Sequence, residues 1–232
     1  MSYLEVNLDP FISVESIIQT PLANPLNLLT YIESRGVTGI GVTFQPELPF
    51  LKNISLVREM TGARLNIRSS VEASGVEGSL FLKPDVLTLI DWANPDRAVR
   101  LPSKSVRDML DAVSEPREFA VAIRIHPHPK QLKEAYILNI DEIEIATDPL
   151  TRQTNQLGYL AEMDAIARTI RLANKKGLNV TCSGNLDERT IAAIRDIANV
   201  EFFSVGKHLL SRALADGFGN ALKEMIEYIE TR

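Results

Sequence analysis

The chain is poor in residues that form covalent or metal-based cross-links. It has one cysteine, Cys182, and three histidines in 232 residues. A single cysteine excludes an internal disulfide and a cysteine-rich zinc site, and a reducing, cytoplasmic setting is the simplest interpretation. A chain of this length can bury roughly 70% of its unfolded surface, so it can form a stable core without either device.

Long runs of one kind of side chain are also missing. No apolar run approaches the ~20 residues of a membrane span, and residues 1–5 lack the charged and apolar regions of a signal peptide. The 25 basic and 30 acidic residues give a net charge of −5, with no basic block. We therefore expect a cytoplasmic protein that binds neither membranes nor nucleic acid.

Short apolar segments alternate with longer amphipathic ones along the whole chain. Most short segments are apolar at successive positions, which is typical of strands covered on both faces. The predicted strands are Leu4–Leu8, Gly39–Phe44, Arg64–Arg68, Val86–Ile90, Phe119–Ile125, Glu142–Ala146, Leu178–Cys182 and Glu201–Val205. Eight strands, each followed by a helix, predict an α/β fold with one domain over residues 1–232, the (β/α)₈ TIM barrel.

The connections between these elements differ in length. Asn24-Pro25 predicts a helix start and Arg35-Gly36 its end. The longest connections, residues 9–24 and 91–104, both follow strands. We expect two structureless loops that shape a site on the C-terminal face of the barrel.

Polar residues follow the carboxyl ends of the predicted strands, which in a barrel point into one shared mouth. They are Asn7, Asp9, Thr43, Gln45, Glu47, Arg68, Asp91, Arg124, His126, Glu144, Thr147, Ser183, Gly184, Asn185, Gly206 and Lys207. A structural barrel has no need of such a ring, so the pattern indicates a binding site. Any one member could equally be a loop residue facing water.

Two glycine segments are candidates for binding phosphate. Ser183-Gly184-Asn185 follows the seventh predicted strand, and Val205-Gly206-Lys207 follows the eighth. Backbone N–H groups at a glycine turn and at a helix N-terminus bind phosphate. In TIM barrels the phosphate site is frequently formed by the loops after strands 7 and 8. The Lys207 ammonium would add a charge. Each glycine alone could be only a turn; both together predict a phosphate site.

Glu144 interrupts an apolar strand. Burying an unpaired carboxylate is costly, so we expect it to face the barrel interior and to pair with Arg68 or Arg124. Such a group could be a general acid/base or an anchor for a substrate amine or hydroxyl. The alternative is an ion pair with a purely structural role.

The cysteine and the two histidines near position 127 are not expected to take part in catalysis or metal binding. Cys182 ends a strand with no histidine near it in sequence, so we expect a small buried residue rather than a nucleophile. His126 and His128 stand two apart in a proline-rich loop with no evident third ligand, so we expect no metal.

Six segments at the strand ends are similar to motifs of one known family. They are Val6–Asp9 (V-N-I-D-H in the family), Gly39–Thr43 (G-I-T-V-H), Arg64–Arg68 (R-M-N-L-E), Ile143–Thr147 (I-E-I-H-T), Gly177–Val180, which leads into a segment similar to N-A-G-H-G-L, and Val205–Ala213 (I-G-H-A-I-I-G-R-A). Through these segments the chain resembles the pyridoxine 5′-phosphate synthase family from Val6 to about Glu230. The resemblance implies a (β/α)₈ barrel that assembles as an octamer. It also implies condensation of 1-deoxy-D-xylulose 5-phosphate with 3-amino-2-oxopropyl phosphate, without metal or organic cofactor.

Several proton-transferring residues of the family are replaced. Its second-strand histidine falls on Thr43, the following arginine on Gln45, and the third-strand glutamate on Arg68. The first-strand histidine falls on Pro10. Ring closure needs several proton transfers, which threonine and a permanently charged arginine cannot supply. We therefore expect this chain not to make pyridoxine phosphate efficiently.

The family's seventh-strand histidine falls on Gly184 or Asn185, and Lys207 stands where the family has a phosphate-binding histidine. Asn7, Asp9, Glu144, Thr147 and Gly206 match the family. The binding residues are thus better preserved than those that transfer protons.

Three functions remain open. The first is a divergent condensing enzyme for a phosphorylated carbonyl compound, in which Lys207 holds phosphate or forms a Schiff base. Its catalytic residues would be Glu144, Arg68 and Thr43. Its substrate-binding residues would be Asn7, Asp9, Gln45, Thr147, Gly184, Asn185, Gly206 and Lys207. The alternatives are a non-catalytic protein that binds or senses a phosphate ester, and the authentic synthase with rearranged catalytic residues.

Overall fold

The computed structural model describes residues 1–18, 25–45, 54–94, 96–113 and 117–230. Eight parallel strands form one closed barrel in sequence order, and the last strand pairs with the first. The strands are β1 Tyr3–Asn7, β2 Gly39–Thr43, β3 Arg64–Ser70, β4 Val86–Ile90, β5 Ala120–Ile125, β6 Glu142–Ala146, β7 Asn179–Ser183 and β8 Phe202–Val205. The predicted TIM barrel is confirmed, with every strand end within two residues of its predicted position.

Helices surround the barrel and supply the apolar outer layer. They are α1 Asp9–Ile18, α2 Pro25–Ser34, α3 Ile54–Met60, α4 Ala73–Leu80, α5 Lys104–Ala112, α6 Pro129–Ile137, α7 Asp148–Thr151, α8 Gln156–Lys175, α9 Glu188–Arg195, α10 Lys207–Asp216 and α11 Phe218–Glu230. None within the described ranges is long and apolar enough to cross a membrane.

The expectation of a structureless loop after the first strand is wrong. Helix α1 begins at Asp9, whose backbone N–H donates to the Asn7 side chain at 2.8 Å. Phe11 and Ile12 are buried, and this short apolar face stabilises the helix against the barrel. The rest of that connection, residues 19–24, lies outside the described residues.

The second long connection has no helix before α5, over the residues described there. It is nevertheless fixed to the barrel, because the Arg124 Nε of β5 donates to the backbone oxygen of Asp96 at 2.8 Å. Asp96 also accepts from Arg152 through its side chain. The loop therefore has a defined position beside the barrel mouth.

The two faces of each strand have different chemistry. On β1, Leu4, Val6 and Leu8 belong to the hydrophobic core between barrel and helices. Glu5 between them is fully buried and accepts from Arg68 and Asn66 on β3. The interior of this barrel is thus polar, and side chains cross it from strand to strand.

Candidate functional site

A cavity of about 500 Å³ opens at the carboxyl ends of the strands. It is lined by Asn7, Asp9, Pro10, Ser13, Val14, Thr43, Arg68, Ile90, Asp96, Arg97, Arg124, Asp148, Ser183, Gly184, Asn185, Leu186, Ser204, Gly206, Lys207, His208 and Leu210. Its size suits a small ligand, and its place is where barrels of this fold carry their sites.

One wall of the cavity is the N-terminus of α10. Gly206 is the residue before this helix, and a side chain there would lie 2.8 Å from the Asn7 backbone oxygen. Glycine is therefore required for β8 to pass so close to β1. The first N–H groups of α10 face the mouth without intrahelical partners, and Lys207 is exposed beside them. This arrangement can bind an anion.

The turn after β7 forms the adjoining wall. Gly184 has φ +106°, and a side chain at this position would collide with the Asp148 carboxylate. Asn185 follows with φ +49°. The Thr147 hydroxyl donates to the backbone oxygens of Ser183, at 3.0 Å, and of Gly184. Thr147 therefore supports the turn from below; it is not among the residues that line the cavity.

Glu144 lies under the floor of the cavity between two guanidinium groups. Both its oxygens are 3.1 Å from Arg68 Nε, and Oε1 is 2.6 Å from Arg124 Nη1. Ser183 Oγ donates to it at 2.7 Å. Burial alone would raise the pKa of Glu144, but Arg68 and Arg124 outweigh it and lower the pKa to about 2. The predicted pairing of Glu144 is confirmed.

The ion pairs continue down the barrel. Arg68 Nη2 is 2.7 Å from Glu5, and below it Arg64 pairs with Glu142. Burial alone would lower the pKa of Arg68, but Glu144 and Glu5 raise it. The three carboxylates of the interior (Glu5, Glu142 and Glu144) are thus balanced by three guanidiniums (Arg64, Arg68 and Arg124). Arg68 and Arg124 present the upper edge of this network to the cavity.

Asp9 and Thr43 form a fixed pair at the mouth. The Thr43 backbone N–H donates to Asp9 Oδ1 at 2.7 Å, and the Thr43 hydroxyl donates to Asp9 Oδ2 at 2.6 Å. Together with the bond from Asp9 N–H to Asn7, they connect the ends of β1 and β2. The structure thus brings together three of the predicted residues, which all line the cavity.

Among the cavity residues that the sequence analysis missed are Asp148 and Arg97. Asp148 begins α7, lies 2.7 Å from Arg124 Nη2, and has its pKa raised by burial despite that neighbour. Arg97 projects from the loop between β4 and α5. Asp148 directly follows the predicted Thr147, so the sequence position alone could have placed it at the barrel mouth. Arg97 lies inside a loop, where sequence spacing does not show which side chains point inward.

Other predicted residues lie elsewhere. Gln45 is half-buried and is not among the cavity-lining residues, and Glu47 lies outside the described residues. His128 accepts from the Lys130 N–H at 3.1 Å and so caps α6. Cys182 is buried, which confirms that part of its prediction, and burial raises the pKa of its thiol.

A closed parallel barrel with a polar, guanidinium-lined cavity at the carboxyl ends of its strands defines the class: a (β/α)₈ TIM barrel. Solved structures with the same fold include a phosphoribosylanthranilate isomerase from Thermotoga maritima (TM-score 0.59, 10% identity, all of both chains). A 4-hydroxy-2-oxoglutarate aldolase from TTHB1 has TM-score 0.60 at 12% identity, over 98% of this chain and 94% of that one. At these identities the likeness concerns the fold alone.

The sequence comparisons identify the family. The profile of the family described as "Pyridoxal phosphate biosynthesis protein PdxJ" matches residues 4–231, so the chain belongs to this family. Curated relatives named pyridoxine 5′-phosphate synthase include those of Geobacter metallireducens, 24% identical over 99% of both chains, and Geotalea uraniireducens, 23% identical over the same shares. That of Prochlorococcus marinus is 25% identical over 99% of this chain and 96% of its own.

Proposed function

We propose that this protein binds a phosphorylated small molecule at the mouth of its barrel and is a divergent condensing enzyme of vitamin B6-type biosynthesis. The observation that carries the proposal is the pair of adjoining walls, the Gly184-Asn185 turn and the Gly206-Lys207 helix start, around one cavity. Membership of the family supports phosphorylated substrates. Lys207 supplies a charge that has no ion pair among the described residues.

The phosphate would lie against the N-terminus of α10. Its oxygens would accept from the free backbone N–H groups there, with the Lys207 ammonium as a point charge. The Asp9–Thr43 pair and Asn7 would then face the rest of the ligand. Neither Gln45 nor Thr147 reaches this cavity, so we leave both out of the proposed contacts.

The residues under the cavity have different roles in this proposal. A carboxylate with a pKa of about 2 is a poor proton acceptor at neutral pH, so Glu144 would hold Arg68 and Arg124 in position. Asp148 is the better candidate for proton transfer, since burial raises its pKa and it lines the cavity. Arg68 would stabilise negative charge that develops on a substrate oxygen.

The same observations favour a second candidate, a non-catalytic protein that binds or senses a phosphate ester. The Thr43 hydroxyl already donates a hydrogen bond to Asp9, and Glu144 is already paired with the guanidiniums of Arg68 and Arg124, so neither is free for proton transfer. Such a protein would retain the phosphate site and lack turnover.

Calorimetric titration with inorganic phosphate and with 1-deoxy-D-xylulose 5-phosphate tests the shared premise. We expect binding, and a loss of about tenfold in affinity for Lys207→Met, in line with the value of one charged hydrogen bond. Lys130→Met is the matched control, because Lys130 is exposed in the first turn of α6 and lies outside the cavity. Absence of binding at millimolar ligand would refute the proposal.

Incubation with both family substrates, followed by chromatography, separates the candidates. Turnover that Asp148→Asn abolishes supports the enzyme, whereas binding without turnover supports the sensor. Efficient formation of pyridoxine phosphate would show that the replaced histidines are dispensable. The octamer implied by the resemblance belongs to the same proposal, and light scattering of the purified protein tests it.

A further inference from the structure

Arg97 is an unusual residue of the cavity wall. It is half-buried, yet none of its side-chain nitrogens donates a hydrogen bond to the described residues, and its Nη1 is fully buried without a partner. Arg97 also forms no ion pair with any of the described residues. Polar groups held this way are rare in native proteins, because a buried donor that makes no hydrogen bond has lost its contacts with water without replacement.

The guanidinium of Arg97 is nevertheless held in one place. Its Cζ lies 3.9 Å from the centre of the Trp92 ring, a stacking contact that leaves the donor edge free. The backbone of Arg97 has φ +55°, its N–H donates to the Asn94 oxygen at 2.8 Å, and its oxygen accepts from Asp91 at 3.0 Å. A tight turn and an aromatic platform thus preorganise the guanidinium.

The surroundings of Arg97 favour an anion. Burial lowers the pKa of its guanidinium; Asp9 opposes this, and Arg124 and Arg68 add to it. Both neighbouring arginines already have carboxylate partners inside the barrel. Within the described part of the chain, Arg97 is therefore a cation of the cavity wall whose charge is not balanced by a direct contact.

The position of Arg97 in the barrel fixes where that anion lies. Arg97 follows β4, whereas Gly206 and Lys207 follow β8. In a closed barrel of eight strands in sequence order, β4 and β8 are on opposite sides. The loop that carries Arg97 and the proposed phosphate site therefore lie on opposite sides of the barrel mouth, and both line the one cavity.

We propose that the ligand is a phosphorylated carboxylic acid, with its phosphate at Gly206-Lys207 and its carboxylate on Arg97. This rests on the proposed function and names the substrate class of that site. A planar guanidinium matches the two oxygens of a carboxylate in a bidentate pair. Arg97 is thus a specificity-determining residue that selects esters with an acid group at the far end.

Matched ligand pairs test the proposal by calorimetry. Glycerol 3-phosphate and 3-phosphoglycerate differ only in whether the far end is an alcohol or a carboxylate. Glucitol 6-phosphate and 6-phosphogluconate repeat the comparison at a greater length. For at least one pair, we expect the acid to bind about tenfold or more tightly than the alcohol, the ratio that one charge-assisted hydrogen bond produces.

Arg97→Met should remove this preference and change the affinity for the alcohols less than about threefold, since the phosphate end is untouched. Arg97→Lys should keep part of it, because the charge remains and the planar fork is lost. Arg100→Met is the control, as Arg100 is exposed on the same loop and does not line the cavity. Thermal unfolding of each variant checks that the fold is intact.

The outcomes are distinct. Equal affinities of acids and alcohols for the unsubstituted protein would overturn this inference and leave phosphate binding intact. A preference that survives in Arg97→Met would assign the carboxylate to another residue. Tighter binding of glucitol 1,6-bisphosphate than of 6-phosphogluconate would show that the group bound by Arg97 is a second phosphate and not a carboxylate. If no ester binds, the proposed function fails together with this inference.

Discussion

At the scale of single residues, the molecule compensates buried charges in pairs and places glycine where the backbone requires it. Glu144 and its two arginines are the clearest case of the first. Gly184 is the clearest case of the second, because its positive φ coincides with a close approach to Asp148. Both features lie directly below or beside the cavity, so stability and binding depend on the same few residues.

Glu144→Gln should lose about 3 kcal/mol of unfolding free energy at neutral pH, the usual cost of breaking a buried ion pair. Because the folded-state pKa is about 2, below the ordinary value, the contribution is present above pH ~4.5 and disappears as pH falls towards 2. Urea unfolding at several pH values measures the difference. Glu227→Gln, at an exposed side chain, should change little. A loss that does not depend on pH would contradict the ion-pair account.

Gly184→Ala should be more destabilising than Gly177→Ala. Both glycines have positive φ, so both alanines are strained by about 1 kcal/mol. Nothing lies within 4 Å of a side chain at position 177, whereas one at position 184 would meet the Asp148 carboxylate. Urea unfolding and phosphate titration of the two variants provide the comparison. Equal losses would mean that Asp148 moves away without cost.

At the scale of elements, the helix that follows the last strand begins at the cavity, and its N-terminus forms part of the cavity wall. Helix α10 starts at Lys207 without a capping side chain, which leaves its N–H groups free for a ligand. Helix α9 starts just after the Gly184 turn and is capped by Asp187, which accepts from the Thr190 N–H at 2.8 Å. A capped helix beside an uncapped one is consistent with a binding role for α10.

Asp187→Ala should lower the free energy of unfolding by about 1 kcal/mol, the usual value of an N-cap. Asp187→Asn should keep most of this stabilisation, because asparagine is also a good N-cap. Burial alone would raise the pKa of Asp187, but the hydrogen bonds with Thr190 lower it. The cost should therefore shrink as pH falls through the range where the carboxylate is protonated. Denaturant unfolding of the three proteins at pH 7 and pH 3 tests this. If Asp187→Asn were as damaging as Asp187→Ala, charge rather than capping would explain the effect.

At the scale of the whole molecule, closure of the barrel makes the strands one unit. Each strand has two hydrogen-bonded neighbours, and β1 pairs with β8 through residues from both ends of the chain. The polar interior adds side-chain contacts between strands far apart in sequence, such as Arg64 with Glu142. We therefore expect the interior to open only when the barrel opens as a whole.

Cys182 reports on this cooperativity, because it is buried on β7 and is the single thiol of the chain. Its reaction with a thiol reagent should be slower than that of a free thiol by the factor that the global unfolding equilibrium predicts. Labelling rates in increasing urea should follow the unfolding free energy measured by circular dichroism. Rapid labelling under native conditions would reveal a local opening of β7.

The sequence by itself determined the architecture and much of the site's location. Apolar strands, caps and glycine turns occur in an order that favours a closed barrel over an open sheet, and the ends of parallel strands meet at one face for geometric reasons. Asn7, Asp9, Thr43 and Arg68 were therefore found from position alone. The partners of Glu144 were expected as well, because a buried carboxylate needs a cation.

Only the tertiary structure decided which polar residues enter the cavity and what each is free to do. The Thr147 side chain lies below the Gly184 turn and outside the cavity. Arg97 lines the cavity because its own backbone is left-handed and its guanidinium stacks on the Trp92 ring, in an irregular loop. The pKa of Glu144 depends on two arginines from other strands. Such properties arise from distances between segments remote in sequence, and no local pattern of residues encodes those distances.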